Sequence, residues 1–269
     1  MVLGLLYTVV PLLWLLISST KTQAALFSTF GLAFGGHFAL WDNVVETFTY
    51  GHGEYGRWLL NTVLYVVVGA GGATILATLA GYGLARYNFR GKRVVFAVII
   101  GAVAIPGTAL AVPTFLLFSA LGLTNTPFAV IIPSLVNPFG LYLIWTFATE
   151  AVPLELLEAA RIDGAGELRI FRSVSLRLLM PGFVTVLLFS IVGSWNNYFL
   201  PLIMLSDPKW FPLTVGLNNW SAQASNDGGD AIYNLVITGS VVAVIPIVVI
   251  FLLLQRFWEN GLAAGSVKQ

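Results

Sequence analysis

The stretch LELLEAARIDGAG at 154–166 sets Glu155, Glu158, Arg161 and Asp163 close together in a chain that is only 9% charged. Pro153, just ahead of it, suits the first turn of a helix, where a missing N–H is not needed. Leu154 to Ile162 then reads as a helix, with Leu154, Leu157 and Arg161 along one side and Glu155, Ala159 and Ile162 along another. Asp163-Gly164 signals its end, because glycine enters positive φ without a Cβ clash. A second amphipathic helix is expected from about Glu167 to Leu179. In it Leu168, Phe171 and Leu178 can pack, while Arg169, Ser173 and Arg177 form a separate stripe. Pro181 marks entry into the next apolar run.

Outward from this cluster the sequence is apolar. Met1–Thr20, Trp58–Ala85, Val94–Thr149, Leu178–Ser206 and Ala231–Gln255 contain no Lys, Arg, Asp or Glu, and 58% of the chain is hydrophobic. A crossing of the hydrocarbon core takes roughly 20 apolar residues at about 1.5 Å per residue. Val94–Thr149 is too long for one crossing, and LGLTNTP at 121–127 supplies a polar, proline-containing turn that divides it. Six spans are expected, at about 2–17, 58–85, 94–120, 128–148, 180–204 and 231–255, with 149–179 as a loop and 1–269 as a single transmembrane domain. No water in the bilayer core can satisfy backbone polar groups, so spans this apolar are helices. Strand-like alternation is absent, which argues against an outer-membrane barrel. The expected fold is all-α, six transmembrane helices with a helix-turn-helix at one membrane face. The first run could instead be a secretory signal peptide, but it lacks a basic start and Thr22-Gln23-Ala24 is a poor cleavage site. A span is therefore expected there, with a short basic leader missing ahead of it.

With the amino terminus in the cytoplasm, the inside loops hold Arg86, Arg90, Lys92, Arg93, Arg161, Arg169, Arg172, Arg177, Arg256 and Lys268, leaving only Lys21, Arg57 and Lys209 outside. The positive-inside rule then places both termini and the 154–166 cluster in the cytoplasm.

No ionisable residue lies inside any of these spans. Such a group costs about 2.5–3.5 kcal/mol at the membrane centre and is usually kept for proton relays, ion coupling or catalysis. Its absence weighs against a proton-coupled transporter, a charge-selective channel and an intramembrane hydrolase. Gly69, Ala73, Ala77, Gly81 and Ala85 form a small-residue ridge that lets another helix approach closely. Pro106, Pro113, Pro133 and Pro138 favour kinks in the third and fourth spans. Asn137, Ser194, Asn196 and Asn197 are the polar residues deepest in the later spans. They read either as interhelical hydrogen bonds of about 0.6–2 kcal/mol each or as a neutral lining for a hydroxylated solute.

The lack of cysteine excludes disulfides and thiolate metal sites, and His37 and His52 are too far apart and too poorly accompanied to suggest a metal. A net charge of +1 gives no sign of a nucleic-acid partner. No G-x-x-x-x-G-K-[ST] loop occurs, since Gly91-Lys92-Arg93 lacks both the first glycine and the Ser/Thr. No catalytic residue, metal or cofactor is therefore expected in this chain. The 154–166 hairpin then reads two ways. It is an interfacial element whose arginines meet anionic lipid head groups, or a docking element in which Ala159, Ala160 and Gly164 permit close approach and the charges fix register. Physical chemistry alone leaves both open.

Glu158-Ala159-Ala160, then three residues and Gly164, followed by Val174-x-Leu176, resembles the EAA motif of ATP-binding-cassette importer permeases. Val174 stands for the usual isoleucine and Arg177 for the usual proline, which softens the end of the second helix or moves it to Pro181. PLLWLLISSTKTQAALF at 11–27, LARYNFRGKR at 84–93, AIPGTALAVPTFLLFSALGLTNT at 104–126, GSWNNYFLPLIML at 193–205 and NGLAAGSVKQ at 260–269 extend the resemblance, over nearly the whole chain, to the six-helix permeases of maltose-type carbohydrate importers.

The resemblance implies a type I importer permease in a bacterial or archaeal inner membrane. It implies pairing with a second permease, two ATP-binding subunits that hold ATP and Mg, and an extracytoplasmic solute-binding protein. Glu158, Ala159, Ala160, Asp163 and Gly164 would couple to the ATPase, and the tail residues Gly261, Leu262, Gly265, Val267 and Lys268 would reach it. Asn137, Ser194, Asn196 and Asn197 would face the path, and Trp210, Asn218 and Trp220 would face the binding protein. A permease for a glycerol phosphodiester or an amino sugar is the nearest alternative. A membrane enzyme acting on lipid-linked sugar would need an acidic or histidine cluster, and its candidates, Glu150, Glu155 and Glu158, are better explained by the motif.

Overall fold

The computed structural model describes residues 2–226 and 231–266, and every regular element within them is helical. α1 (Val2–Ser19), α2 (Gln23–Ser28) and α3 (Leu40–Thr49) open the chain. α4 (Glu54–Leu64), a π-helical segment at Tyr65–Ala70 and α5 (Gly71–Arg86) run on as one helix of 33 residues. α6 (Lys92–Val103), α7 (Ala111–Ala120), α8 (Phe128–Ser134), α9 (Pro138–Ala151) and α10 (Leu154–Ile162) follow. α11 (Glu167–Ile170), a second π-helical segment at Phe171–Ser175 and α12 (Leu176–Trp195) form another continuous helix, of 29 residues. α13 (Phe199–Met204), α14 (Leu213–Ser225) and α15 (Tyr233–Ser266) complete the set.

Among the described residues, Glu54–Arg86, Phe128–Ala151, Glu167–Trp195 and Tyr233–Gln255 are long and apolar enough to cross a membrane. The pair α6 and α7 makes a fifth crossing if it is one broken span, and the two halves are bent by 99°. The first run gives a shorter apolar helix, Gly4–Ser19. The six expected runs are all largely helical, but only four give helical stretches of crossing length, and one of these, Phe128–Ala151, is interrupted at Leu135–Asn137.

Proline chemistry accounts for the largest departure. Pro106 lacks an N–H and disfavours helical geometry at Ile105, so α6 ends at Val103 and a 3-10 turn at Gly107–Leu110 precedes α7. Pro113 falls in the first turn of α7, where no hydrogen bond is lost, and produces no kink. Pro133 and Pro138 bracket the junction of α8 and α9 rather than bending one straight helix. The run expected at 180–204 instead begins at Glu167 and stops at Trp195, and α13 is separate. Arg177 and Pro181 therefore lie inside a helix. The second limb of the hairpin is the beginning of a span and not an independent surface helix.

The described chain packs as two compact units, Met1–Thr62 with Leu205–Val249 and Val63–Met204 with Ile250–Gln269. In the second unit the small-residue ridge packs on α9. A Cβ on Gly81 would lie 2.8 Å from the Leu141 carbonyl oxygen and 2.8 Å from Ile144 Cβ. Ala77, Ile144 and Val186 form one buried cluster there, and Tyr82, Ala148, Val152, Leu157, Ile170 and Leu179 form another beneath the hairpin.

In the first unit, Trp220 is buried among Tyr50, Tyr55 and Trp58, with ring centroids 4.9 Å apart in the Trp58 pair. Gly216 lies so close to Trp58 that a Cβ there would overlap the indole. This unit also has a polar interior. Asn43 Nδ2 donates to the Ser19 and Lys21 carbonyls at 2.9 and 2.8 Å, and Asn234 Nδ2 donates to Asn43 Oδ1 at 2.9 Å. Lys21 is fully buried, and its Nζ donates to the Phe30 and Gly31 carbonyls at 3.0 and 3.2 Å.

Candidate functional site

The hairpin begins at Pro153, which takes the N-cap position with φ −63° and ψ 142°, one residue earlier than expected. Leu157 anchors α10 in the buried cluster beneath it. At the other end, the Ala165 N–H donates to the Ala160 carbonyl and the Gly164 N–H to the Arg161 carbonyl, each at 3.0 Å. Those two bonds form a Schellman cap, with Gly164 at φ +78° as its left-handed residue. A Cβ at Gly164 would meet nothing within 4 Å, so backbone conformation and not crowding demands glycine.

The same open space marks an outward face. Glu158, Ala159, Asp163 and Gly164 are exposed and Ala160 is half-buried. Leu156, Ile162 and Leu168 are exposed apolar neighbours; Leu168, expected to pack inward, turns out instead. Beside them lies a groove of about 260 Å³ lined by Ala160, Asp163, Ala165, Arg169, Ile170 and Ser173. Apolar side chains interleaved with charges, over a rigid cap, suit close docking of another protein.

A three-residue latch holds the hairpin from the side. Arg161 Nε donates to Glu167 Oε1 at 2.8 Å, closing the two limbs, and the Tyr87 hydroxyl donates to Glu167 Oε2 at 2.6 Å. Tyr87 belongs to the loop after α5, so the latch ties that loop to the hairpin. Its hydrogen bond to the Glu167 carboxylate, with burial second, pushes the Tyr87 phenol up to about 12. The latch was not evident in the sequence, because Tyr87 lies 80 residues from Glu167 along the chain.

A second feature lies higher on the same long helix. Ser134, Asn137, Ser190, Ser194 and Asn197 converge with Ala70 and Phe189 around a cavity of about 230 Å³. Asn137 caps α9, its Oδ1 accepting the Gly140 N–H at 2.8 Å, while its Nδ2 donates to Ser190 Oγ at 3.0 Å. Ser194 Oγ donates to the Tyr65 carbonyl at 3.3 Å, where the π-helical segment of the neighbouring span begins. These groups thus bond helix to helix and line a cavity at once, so the two sequence readings are compatible. Asn196 is outside the cavity: it is exposed and its Nδ2 returns to the Val192 carbonyl of its own helix at 2.9 Å. Ser134 and Ser190 were missed, although Ser190 lies one helical turn from Ser194. Among the described residues, no ionisable one lines the cavity.

Segment 205–230, expected as an outside loop, carries a short 3-10 turn at Pro208–Trp210 and then α14. Trp210 is half-buried with Lys209 Nζ 5.5 Å from its ring, and Asn218 is exposed. Trp220, expected to face outward, is a core residue, since the rings of Tyr50, Tyr55 and Trp58 enclose it. Of the tail, Gly261, Leu262 and Gly265 fall on the backbone of α15, while Val267 and Lys268 lie outside the described residues.

Residues 73–263 match the family model of the binding-protein-dependent transport system inner membrane component. The arabinooligosaccharides transport system permease protein AraQ of Bacillus subtilis is 31% identical over 269 residues, covering 100% of this chain and 93% of that one. The diacetylchitobiose uptake system permease protein NgcG of Streptomyces coelicolor is 31% identical over 271 residues, covering 100% and 87%. Among solved structures, a chain of a bacterial ABC transporter involved in import of the acidic polysaccharide alginate superposes with a TM-score of 0.82 at 22% identity, covering 96% of this chain and 94% of that chain.

Proposed function

The chain belongs to the binding-protein-dependent transport system inner membrane component family, and from that premise we propose that it forms half of the translocation path of an ATP-driven oligosaccharide importer. It is a transport subunit of the inner membrane and not an enzyme; ATP is used by the partner ATPase of the same system. The finer assembly belongs to this proposal. This chain pairs with a different second permease above two ATP-binding subunits, and a solute-binding protein docks outside near Trp210 and Asn218. Both termini and the hairpin are cytoplasmic, and the tail from Gly261 to Lys268 lies against the ATPases.

The observation that carries the reading is the helix Glu167–Trp195. It begins as the second limb of the hairpin and ends with Ser190 and Ser194 in the polar cavity. At about 1.5 Å per residue it is a rod of about 43 Å. Closure of the ATPases against Glu158, Ala159, Ala160, Asp163 and Gly164 would displace one end and reshape the cavity at the other, a rigid-body switch between inward-facing and outward-facing states.

The cavity also bears on the solute. Asn and Ser side chains offer donors and acceptors without charge, which suits the hydroxyls of a neutral sugar. A phosphodiester would lack a cationic partner among the lining residues. The named solutes of two relatives, arabinooligosaccharides and diacetylchitobiose, support the same class. Membership of a family of transport subunits weighs against the lipid-linked-sugar enzyme.

The test is uptake by the complete complex in proteoliposomes, with ATP enclosed and the binding protein and labelled oligosaccharides outside. ATP-dependent accumulation of an oligosaccharide is expected. Accumulation of a phosphodiester with no sugar transported would contradict the solute class.

A further inference from the structure

Residues 22–41, TQAALFSTFGLAFGGHFALW, contain no Lys, Arg, Asp or Glu, yet they follow α1 as an ordered segment folded around buried polar groups. The polarity of this region is inverted relative to a surface that faces water. Ser18, Ser19, Thr20, Lys21, Asn43 and Thr47 are buried, while Phe27, Phe30, Phe34, Phe38 and Trp41 are 63–76% exposed. The inward groups are satisfied. Lys21 Nζ holds the Phe30 and Gly31 carbonyls, Asn43 holds the Ser19 and Lys21 carbonyls, and the Ala39 N–H donates to the Thr20 carbonyl at 2.8 Å. Burying backbone and lysine polarity while presenting five large rings is unfavourable in water and favourable against hydrocarbon.

From this inverted polarity we infer that residues 22–41 form an aromatic pad lying in the outer lipid interface of the bilayer. The surface is continuous with the apolar face of α1. Gly31 rests on the Trp14 indole, where a Cβ would lie 2.9 Å from Nε1, and Leu12, Leu13, Trp14 and Leu16 are themselves exposed. Polar atoms mark the edge of the pad: His37 Nε2 lies 3.7 Å from Asp42 Oδ2, and both side chains are exposed. Aromatic rings with a polar fringe fit the head-group level, where Trp and Tyr concentrate in membrane proteins. Lipid is thus the occupant, and the pad fixes the depth at which α1 enters the membrane.

The chain has no cysteine, so single probes can be introduced without background. Phe34→Cys and Phe38→Cys, each spin-labelled in the assembled complex in liposomes, would be compared with Asp42→Cys for collisions with oxygen and with a water-soluble nickel chelate. The pad predicts an oxygen-to-nickel ratio several-fold higher at Phe34 and Phe38 than at Asp42. Preferential contact with nickel would overturn the proposal by placing the segment in water. Shielding from both reagents would overturn it by showing a covering protein. A milder variant, Trp41→Phe, gives an independent reading: dibrominated phospholipids should quench a tryptophan component that the variant lacks, and identical quenching in both proteins would contradict the pad.

Discussion

Gly164 shapes the hairpin turn by conformation alone, because open space surrounds the position where a Cβ would stand. Gly164→Ala is expected to cost about 1–2 kcal/mol in the left-handed region, and Gly164→Asn less. The hairpin would then meet its ATPase in a loosened state. Phosphate release should continue while solute uptake in the same proteoliposomes falls several-fold, and an unchanged ratio of the two would contradict the coupling role. Asn137 separates stability from path chemistry in a similar way. Asn137→Ala removes a helix cap worth about 0.5–2 kcal/mol together with the Ser190 bond, so both thermal stability and uptake should fall. Asn137→Asp keeps the capping oxygen but places a charge in a neutral cavity, so uptake should fall with a smaller loss of stability; equal losses in both variants would reduce Asn137 to a strut. The hairpin residues were legible because caps and turns are local: Asp163-Gly164 states its own conformation. The burial of Lys21 and Trp220 was not legible: Lys21 is held by the Phe30 and Gly31 carbonyls of an irregular segment that no periodicity describes, and Trp220 by rings from a distant part of the chain.

At the level of elements, apolar length located the helices well and proline position located the breaks unevenly. Pro106 interrupts a helix because its ring and missing N–H fall within a run, whereas Pro113 is absorbed in a first turn. The continuity of Glu167–Trp195 was hidden by the charges at its start, which read as a separate surface helix. The small-residue ridge was legible as a close-packing face, and its partner α9 was supplied by the structure. Gly81→Leu would press on the Leu141 backbone, which cannot move aside as a side chain could. It is expected to cost at least about 1–3 kcal/mol and to lower the thermal midpoint of the assembled complex. Gly83→Ala on the same helix meets nothing within 4 Å and should leave that midpoint unchanged or slightly raised. Equal effects at the two positions would refute the ridge as the contact face.

For the whole molecule, the proposed importer subunit joins a hairpin suited to docking, a rod that would carry its displacement and an uncharged cavity at the far end. The proposed cytoplasmic position of the hairpin can be tested in the cysteine-free background. Ile162→Cys should react with a membrane-impermeant maleimide in inside-out vesicles and not in right-side-out ones. The most direct measurement is native mass spectrometry of the tagged chain purified in mild detergent from its own membranes. Recovery with an ATP-binding subunit and a second, different permease is expected. Recovery of the chain alone, stable and active without an ATPase, would contradict the importer reading.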